Sequence, residues 1–343
     1  MTNLSFKHKL LHGDLLIGTI VTLSSTEITE IYCQAGFDWL FVDLEHSTLS
    51  IKDAQAILQT ASQKADCVIR APSIDEAWIK RVLDIGPAGI IIPQVKSAEE
   101  AKSAVQLCKY PPEGLRSVGL ARAHGYGEKF QEYVASANNE IAIILQIEHI
   151  DAVDNIEEII KVPGIDALFI GPYDLSASMG KTGQVNDSGV QNAIMRVKEV
   201  AEEAKMPLGI FGANADAVKA YIRDGYNLIT VGIDTMLIAK TAKDIVNALK
   251  KQSTNKRVFN QKRDCNTAIP FCYYDFDQRC AASSSFNSSR IRRIQSSSVS
   301  YWNIQFLWII SHRYFSRMLR SGILGFLSAW TRRKKTFSPT AFR

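Results

Sequence analysis

The stretch that decides the fold runs from Ile141 to Gly180, IAIILQIEHIDAVDNIEEIIKVPGIDALFIGPYDLSASMG. Two apolar runs within it each end on a carboxylate. Ile141 to Ile147 is apolar apart from Gln146 and stops at Glu148; Asp166 to Ile170 leads through Gly171, Pro172 and Tyr173 to Asp174. Runs of this kind, separated by a helix-length segment with a Val-Pro-Gly stop, read as a β-α-β unit whose parallel strands are buried on both faces. Glu148 and Asp174 then lie side by side past the carboxyl ends of neighbouring strands. Parallel-sheet folds carry their chemistry at that end.

Two carboxylates brought together there repel unless a proton or a cation stands between them, and hard oxygen ligands suit Mg²⁺ or Mn²⁺. The pair therefore nominates a divalent-metal site. The competing reading is that each acid caps the helix after it, since Asp-Leu-Ser and Glu-His-Ile-Asp also suit helix starts.

Outward from this unit, strand candidates fall at Leu15–Val21, Asp38–Asp43, Cys67–Arg70, Gly89–Ile92, Pro207–Ile210 and Leu228–Val231, eight with the two above. Helical periodicity fills Ile51–Lys64, Ile74–Leu83, Ala98–Leu107, Gly189–Ala204, Ala215–Asp224 and Met236–Lys250 between and after them. Eight β-α steps in about 250 residues is the rhythm of a TIM barrel, an α/β fold of the (β/α)8 type. Neither GxGxxG nor GxxxxGK[ST] is present, so nucleotide-binding open sheets lose support.

In a barrel, the residues following each strand hold the function. FVDLEHS places Glu45 and His46 at the mouth, and His46 is a candidate general base. VIRAP brings Arg70 out of an apolar run, where it requires an anion, either a protein carboxylate such as Glu45 or a bound substrate. Asp84 precedes the fourth strand; it either orients His46 in a dyad or caps the turn before Gly86-Pro87. The connection from Cys108 to Asn139 is long, and its Pro and Gly residues oppose a regular helix. Within it, Arg116, Arg122 and His124 either line a site or contact another subunit.

His46, Arg70, Asp84, Glu148 and the run GPYDLS together resemble the HpcH/HpaI family of metal-dependent 2-oxo-acid aldolases, over roughly residues 5 to 250. The resemblance implies a modified TIM barrel, a homo-oligomer of hexameric type that exchanges a terminal helix, and a Mg²⁺, Mn²⁺ or Co²⁺ cofactor. It implies an aldehyde-lyase that cleaves 4-hydroxy-2-oxo acids, such as dihydroxyheptenedioate or dehydrodeoxyglucarate, to pyruvate or a related 2-oxo acid plus an aldehyde. By the same resemblance Glu148 and Asp174 are metal ligands, His46 and Asp84 the base dyad, and Arg70 the cation beside the enolate. Gln146, Gly171, Pro172, Tyr173 and Asp174 fall at substrate-contact positions, with Tyr173 in place of a smaller residue found in many relatives. Two alternatives stand beside this reading: a lyase of the citrate-lyase β type acting on acyl-CoA, and a silent barrel that binds an anionic surface through its tail.

That tail is chemically distinct. Of 40 Lys+Arg and 35 Asp+Glu, 16 and three lie from Lys256 onward, giving a net +13 there and −8 before it. The sequence thus divides into a barrel domain, 1–255, and a basic Ser/Arg-rich extension, 256–343, without Glu. Membrane-surface binding, nucleic-acid binding and an unselected segment of frameshift or read-through origin are the available readings. The last accounts best for the abrupt change of composition, and it predicts disorder. For the barrel itself neither nucleic acid nor membrane is expected. The six cysteines form no CxxC pair, and buried free thiols in a cytoplasmic protein are the ordinary expectation.

Overall fold

The computed structural model describes the backbone of residues 4–62 and 64–261, with side chains to 250. Its eight strands are β1 (Leu16–Val21), β2 (Trp39–Asp43), β3 (Asp66–Arg70), β4 (Gly89–Ile92), β5 (Ala142–Ile147), β6 (Ala167–Ile170), β7 (Leu208–Gly212) and β8 (Leu228–Ile233). All pair in parallel with their sequence neighbours, and β8 returns to β1, closing the expected barrel. Of the basic extension, 256–343, the structure describes only the backbone of 256–261, which is helical; the rest of that reading lies outside the described residues.

The helices are α1 (Phe6–His12), α2 (Thr26–Ala35), α3 (Ile51–Ala61), α4 (Glu76–Asp84), α5 (Ala98–Cys108), α6 (Phe130–Glu140), α7 (Ile150–Asp154), α8 (Ile156–Ile159), α9 (Pro172–Ser178), α10 (Ser188–Glu203), α11 (Ala215–Arg223) and α12 (Asp234–Gln261). Eight of these twelve begin on a residue whose side chain accepts a free amide of the first turn: Ser5, Ser25, Ser50, Asp75, Ser97, His149, Asp187 and Asn214. Ser50 and Asp53 form a reciprocal capping box.

One expectation needs correction. The connection after Cys108 is irregular only through its Pro- and Gly-rich half, where a 3₁₀ turn at Arg122–Gly127 is broken by left-handed Gly125 and Tyr126. Beyond it FQEYVASANNE forms α6, because no Gly or Pro interrupts that run.

Two layers of apolar contact build the core. Strand faces turned outward, such as Val42, Ile69, Ile90, Leu145 and Ile170, pack under the helices. Faces turned inward, including Phe41, Val68, Ile91, Ile144 and Phe169, fill the barrel, with Phe6 and Leu10 of α1 joining them from below. Two strand glycines make room for this filling. A Cβ on Gly18 would meet the Trp39 indole at 2.6 Å, and one on Gly209 would meet the Phe169 ring at 2.5 Å. The large inner side chains fill the barrel below the carboxyl-end layer that carries the candidate site.

Candidate active site

The mouth is built from the last residue of each strand and the turn after it. Asp43 ends β2 and is paired in register with Arg70, the end of β3. Arg70 donates Nε–H to Asp43 Oδ1 (2.9 Å) and Nη2–H to Oδ2 (2.6 Å), a fork that fixes the guanidinium plane. Its Nη1 lies 3.1 Å from Glu45 Oε2, and its Cζ sits 5.2 Å from the centre of the Phe41 ring. Burial works against the Arg70 charge, but Asp43, Glu45 and Glu148 outweigh it and hold the group more basic than usual. Asp43 Oδ1 also accepts the amides of Glu45 (2.9 Å) and His46 (3.3 Å), which sets the turn that presents His46. The His46 side chain is 62% exposed, with Nε2 3.9 Å from Glu45 Oε2.

On the other side, Glu148 is buried at the end of β5. Its Oε1 accepts the Gln94 amide (2.9 Å) and Gln94 Nε2 (3.0 Å), while Gln146 donates Nε2–H to Oε2. Glu148 therefore caps no helix; His149 holds the N-cap of α7. Gln94 takes up this role with φ at +57°, a strained conformation for a residue with a side chain. A Cβ on Gly171 would stand 3.0 Å from Glu148 Oε2 and 3.1 Å from Gln146 Nε2, so glycine is what lets the turn after β6 approach this carboxyl. Pro172 opens α9, which carries Asp174 in its first turn.

Burial first, then the charges of Glu45 and Asp174, push the Glu148 carboxyl up to about 7. Burial, Asp43 and Asp174 raise Glu45 to about 7 as well. Four carboxylates thus face one arginine, a surplus of negative charge that a divalent cation relieves. Without a cation, the folded protein binds more protons than the unfolded chain between the ordinary carboxylate range near 4.5 and 7, so its stability falls as pH rises through that window. Glu148→Gln should therefore stabilise the metal-free protein at pH 8, on the order of 2 kcal/mol, with the gain vanishing at pH 4. Denaturant titration of both proteins at the two pH values in chelator measures this.

The site opens into a pocket of about 210 Å³. Asp43, His46, Arg70, Gln146, Gly171, Pro172, Tyr173 and Asp174 line it, together with Ile20, Thr22, Phe41, Phe169, Phe211 and Ile233. Of the residues nominated from sequence, all but Asp84 gather at this end. Asp84 ends α4, and because helices run antiparallel to the strands, that end lies at the amino-terminal side of the barrel, away from His46. No His46–Asp84 dyad forms within the chain. Asp84 instead pairs with buried Arg116 (3.1 Å), whose guanidinium lies 4.4 Å from the Tyr110 ring centre. His124 bonds the Tyr110 hydroxyl (3.0 Å) and Arg122 donates to the Ile85 carbonyl (2.6 Å), so these basic residues fasten the long connection to the barrel.

Sequence reasoning passed over Asp43 and Gln94. Asp43 was readable as a strand-end acid one register step from Arg70; nothing in the sequence announces the backbone turn that recruits Gln94.

A closed parallel barrel with an acid-rich mouth, one clamped arginine and a histidine places its polar groups where barrel enzymes carry their chemistry. The sequence profile described as HpcH/HpaI aldolase/citrate lyase matches residues 17–241. A 4-hydroxy-2-oxovalerate aldolase from Rhodococcus jostii is 37% identical over 238 residues, 69% of this chain and 92% of that protein. A 4-hydroxy-2-oxo-heptane-1,7-dioate aldolase from Escherichia coli is 37% identical over 254 residues, 73% and 96% of the two chains. The crystal structure of an HpcH/HpaI aldolase from Desulfitobacterium hafniense superposes with a TM-score of 0.67 at 32% identity, covering 72% of this chain and 97% of that one. The chain belongs to the HpcH/HpaI aldolase/citrate lyase family.

Proposed function

We propose that this protein is an aldehyde-lyase that cleaves 4-hydroxy-2-oxo acids to pyruvate, or a related 2-oxo acid, and an aldehyde. The observation that carries the reading is the mouth itself: Glu148, Asp174, Arg70 and His46 rise from strand ends of one barrel whose 37%-identical relatives are aldolases of such acids.

The donor set fits a divalent cation. Glu148 and Asp174 offer hard oxygens, and Gln146 Oε1 is a buried acceptor without a hydrogen-bond partner among the described residues. No group of three or more His, Cys, Asp or Glu among the described residues is placed to hold a metal ion; Mg²⁺ and Mn²⁺ are ions that use one or two carboxylates and leave positions for substrate and water. Co²⁺ is compatible with the same pair. Glu148 and Asp174 would hold such an ion, which would supply Lewis-acid polarisation of the substrate ketone.

The chain's own groups do the rest. Asp43 locks the fork of Arg70, and two of its five N–H groups remain to face the pocket and meet the C2 oxygen as negative charge develops there. His46 accepts the proton of the 4-hydroxyl. As the C4–O bond becomes a carbonyl, the C3–C4 bond breaks and its electron pair moves into C2–C3, leaving an enolate; protonation at C3 then gives the 2-oxo acid. Gln94 and Gln146 hold the Glu148 carboxyl in place. Gly171 and Pro172 bring Tyr173 and Asp174 against the substrate. No lysine lines the pocket among the described residues, which supports an enolate route over a Schiff base.

A homo-oligomer of hexameric type is the assembly expected for the family, and the exposed apolar residues of α12, Leu237, Ile238, Ile245 and Leu249, support exchange of that helix. A cytoplasmic setting fits the free thiols of Cys33, Cys67 and Cys108; no helix among the described residues is long and apolar enough to cross a membrane. The reading is tested by incubating the full chain with a 4-hydroxy-2-oxo acid and Mg²⁺ and following pyruvate and aldehyde. Equimolar release is expected. No release from any chain length, with thiol release from an acyl-CoA instead, would replace this reading with the citrate-lyase type.

A further inference from the structure

The barrel mouth is divided into two chemically different halves. From β2 round to β6 it carries the charged groups, Asp43, Glu45, Arg70, Glu148 and Asp174, with the Phe41 and Phe169 rings also lining the pocket on those two strands. From β7 through β8 to β1 it is apolar, with Phe211, Ile233 and Ile20 lining the pocket. Tyr173 stands at the border, its ring centre 5.9 Å from that of Phe211, and is 42% exposed. The polar groups on the apolar side are already engaged. Thr22 Oγ1 donates to Asp234 Oδ1 (2.6 Å), and Asp234, fully buried, also accepts the amides of Thr22, Leu23 and Thr235 at 2.7–2.8 Å. Among the described lining residues Arg70 is the one cation, and Asp43 and Glu45 hold it on the charged side.

We infer that the aldehyde half of the substrate is uncharged and apolar, seated against Phe211, Ile233, Ile20 and the Tyr173 ring. The inference rests on the lyase reading above, in which the 2-oxo acid end occupies the charged half. With the 4-hydroxyl directed to His46 in the turn after β2, the substituent on C4 has the β1–β8–β7 side to occupy. An alkyl chain there removes apolar surface from water. A second carboxylate there would lose hydration without gaining a cation, and it would share the pocket with the carboxylates of Asp43 and Asp174. Tyr173 and Phe211 are specificity-determining residues in this account.

The test is a matched pair of substrates, 4-hydroxy-2-oxoheptanoate and 4-hydroxy-2-oxoheptanedioate, compared by kcat/KM with Mg²⁺, alongside exchange of the pyruvate methyl protons in D₂O. The heptanoate is expected to be cleaved at least about tenfold more efficiently, and Phe211→Arg to narrow or reverse the preference. Equal or better cleavage of the dioate by the unaltered protein overturns the inference, whether or not the variant folds. Methyl exchange locates the fault: exchange with the dioate preferred, or with neither substrate cleaved, removes this inference alone. Absence of both exchange and cleavage removes the lyase reading beneath it.

Discussion

Replacing Arg70 by alanine lowers kcat for cleavage by a factor on the order of 10²–10³ and destabilises the fold by about 3–5 kcal/mol. Both effects have one origin. Arg70 is 6% exposed and meets Asp43, itself 2% exposed, through two charge-assisted hydrogen bonds at 2.9 and 2.6 Å. Without the guanidinium, Asp43 becomes a buried charge with no counter-ion, and the turn it organises through the Glu45 and His46 amides loses its anchor. The developing oxyanion loses its protein cation at the same time. Arg70→Lys separates the two contributions: it keeps a charge but not the fork, so stability should recover in part while kcat stays low. Steady-state kinetics and denaturant unfolding on the same preparations check this, and an alanine variant of near-normal kcat would place Arg70 outside the reaction.

The second large effect is expected at the carboxylate pair. Glu148→Ala and Asp174→Ala should each lower metal affinity by at least about 100-fold and bring metal-dependent cleavage below detection, and the double variant should be no worse than either single one, since the two act as a unit. The structural costs differ. Glu148→Ala leaves the Gln94 amide, the Gln94 side chain and the Gln146 side chain without their acceptor, so it should also destabilise. Asp174 is half-buried in the first turn of α9, and its replacement should cost less stability than that of Glu148. Calorimetric titration with Mn²⁺ separates loss of binding from loss of turnover.

How far the sequence carried can be argued residue by residue. The barrel was legible because parallel strands buried on both faces read as continuous apolar runs, and the observed β4 has the expected bounds while the other strands differ by a few residues at most. The position of Glu148, Asp174, His46 and Arg70 at the mouth was legible because each stands at the end of such a run or within four residues after it. The His46–Asp84 pairing implied by resemblance does not follow from one chain: Asp84 stands before its strand, at the end where Arg116 neutralises it. Gln94 was beyond reach, since its part depends on a left-handed backbone that glutamine rarely adopts. The missed α6 came from extending the reading of a Pro- and Gly-rich stretch past its last glycine.

The central claim, cation-assisted retro-aldol cleavage at this mouth, is tested most directly by chelating all divalent ions from the full chain, adding a 4-hydroxy-2-oxo acid, and titrating Mn²⁺ back while following pyruvate. The account predicts negligible release in chelator and saturable restoration by Mn²⁺, with pyruvate and aldehyde in equal amounts. Undiminished cleavage in chelator, or a borohydride-trapped adduct between substrate and a lysine, would contradict it.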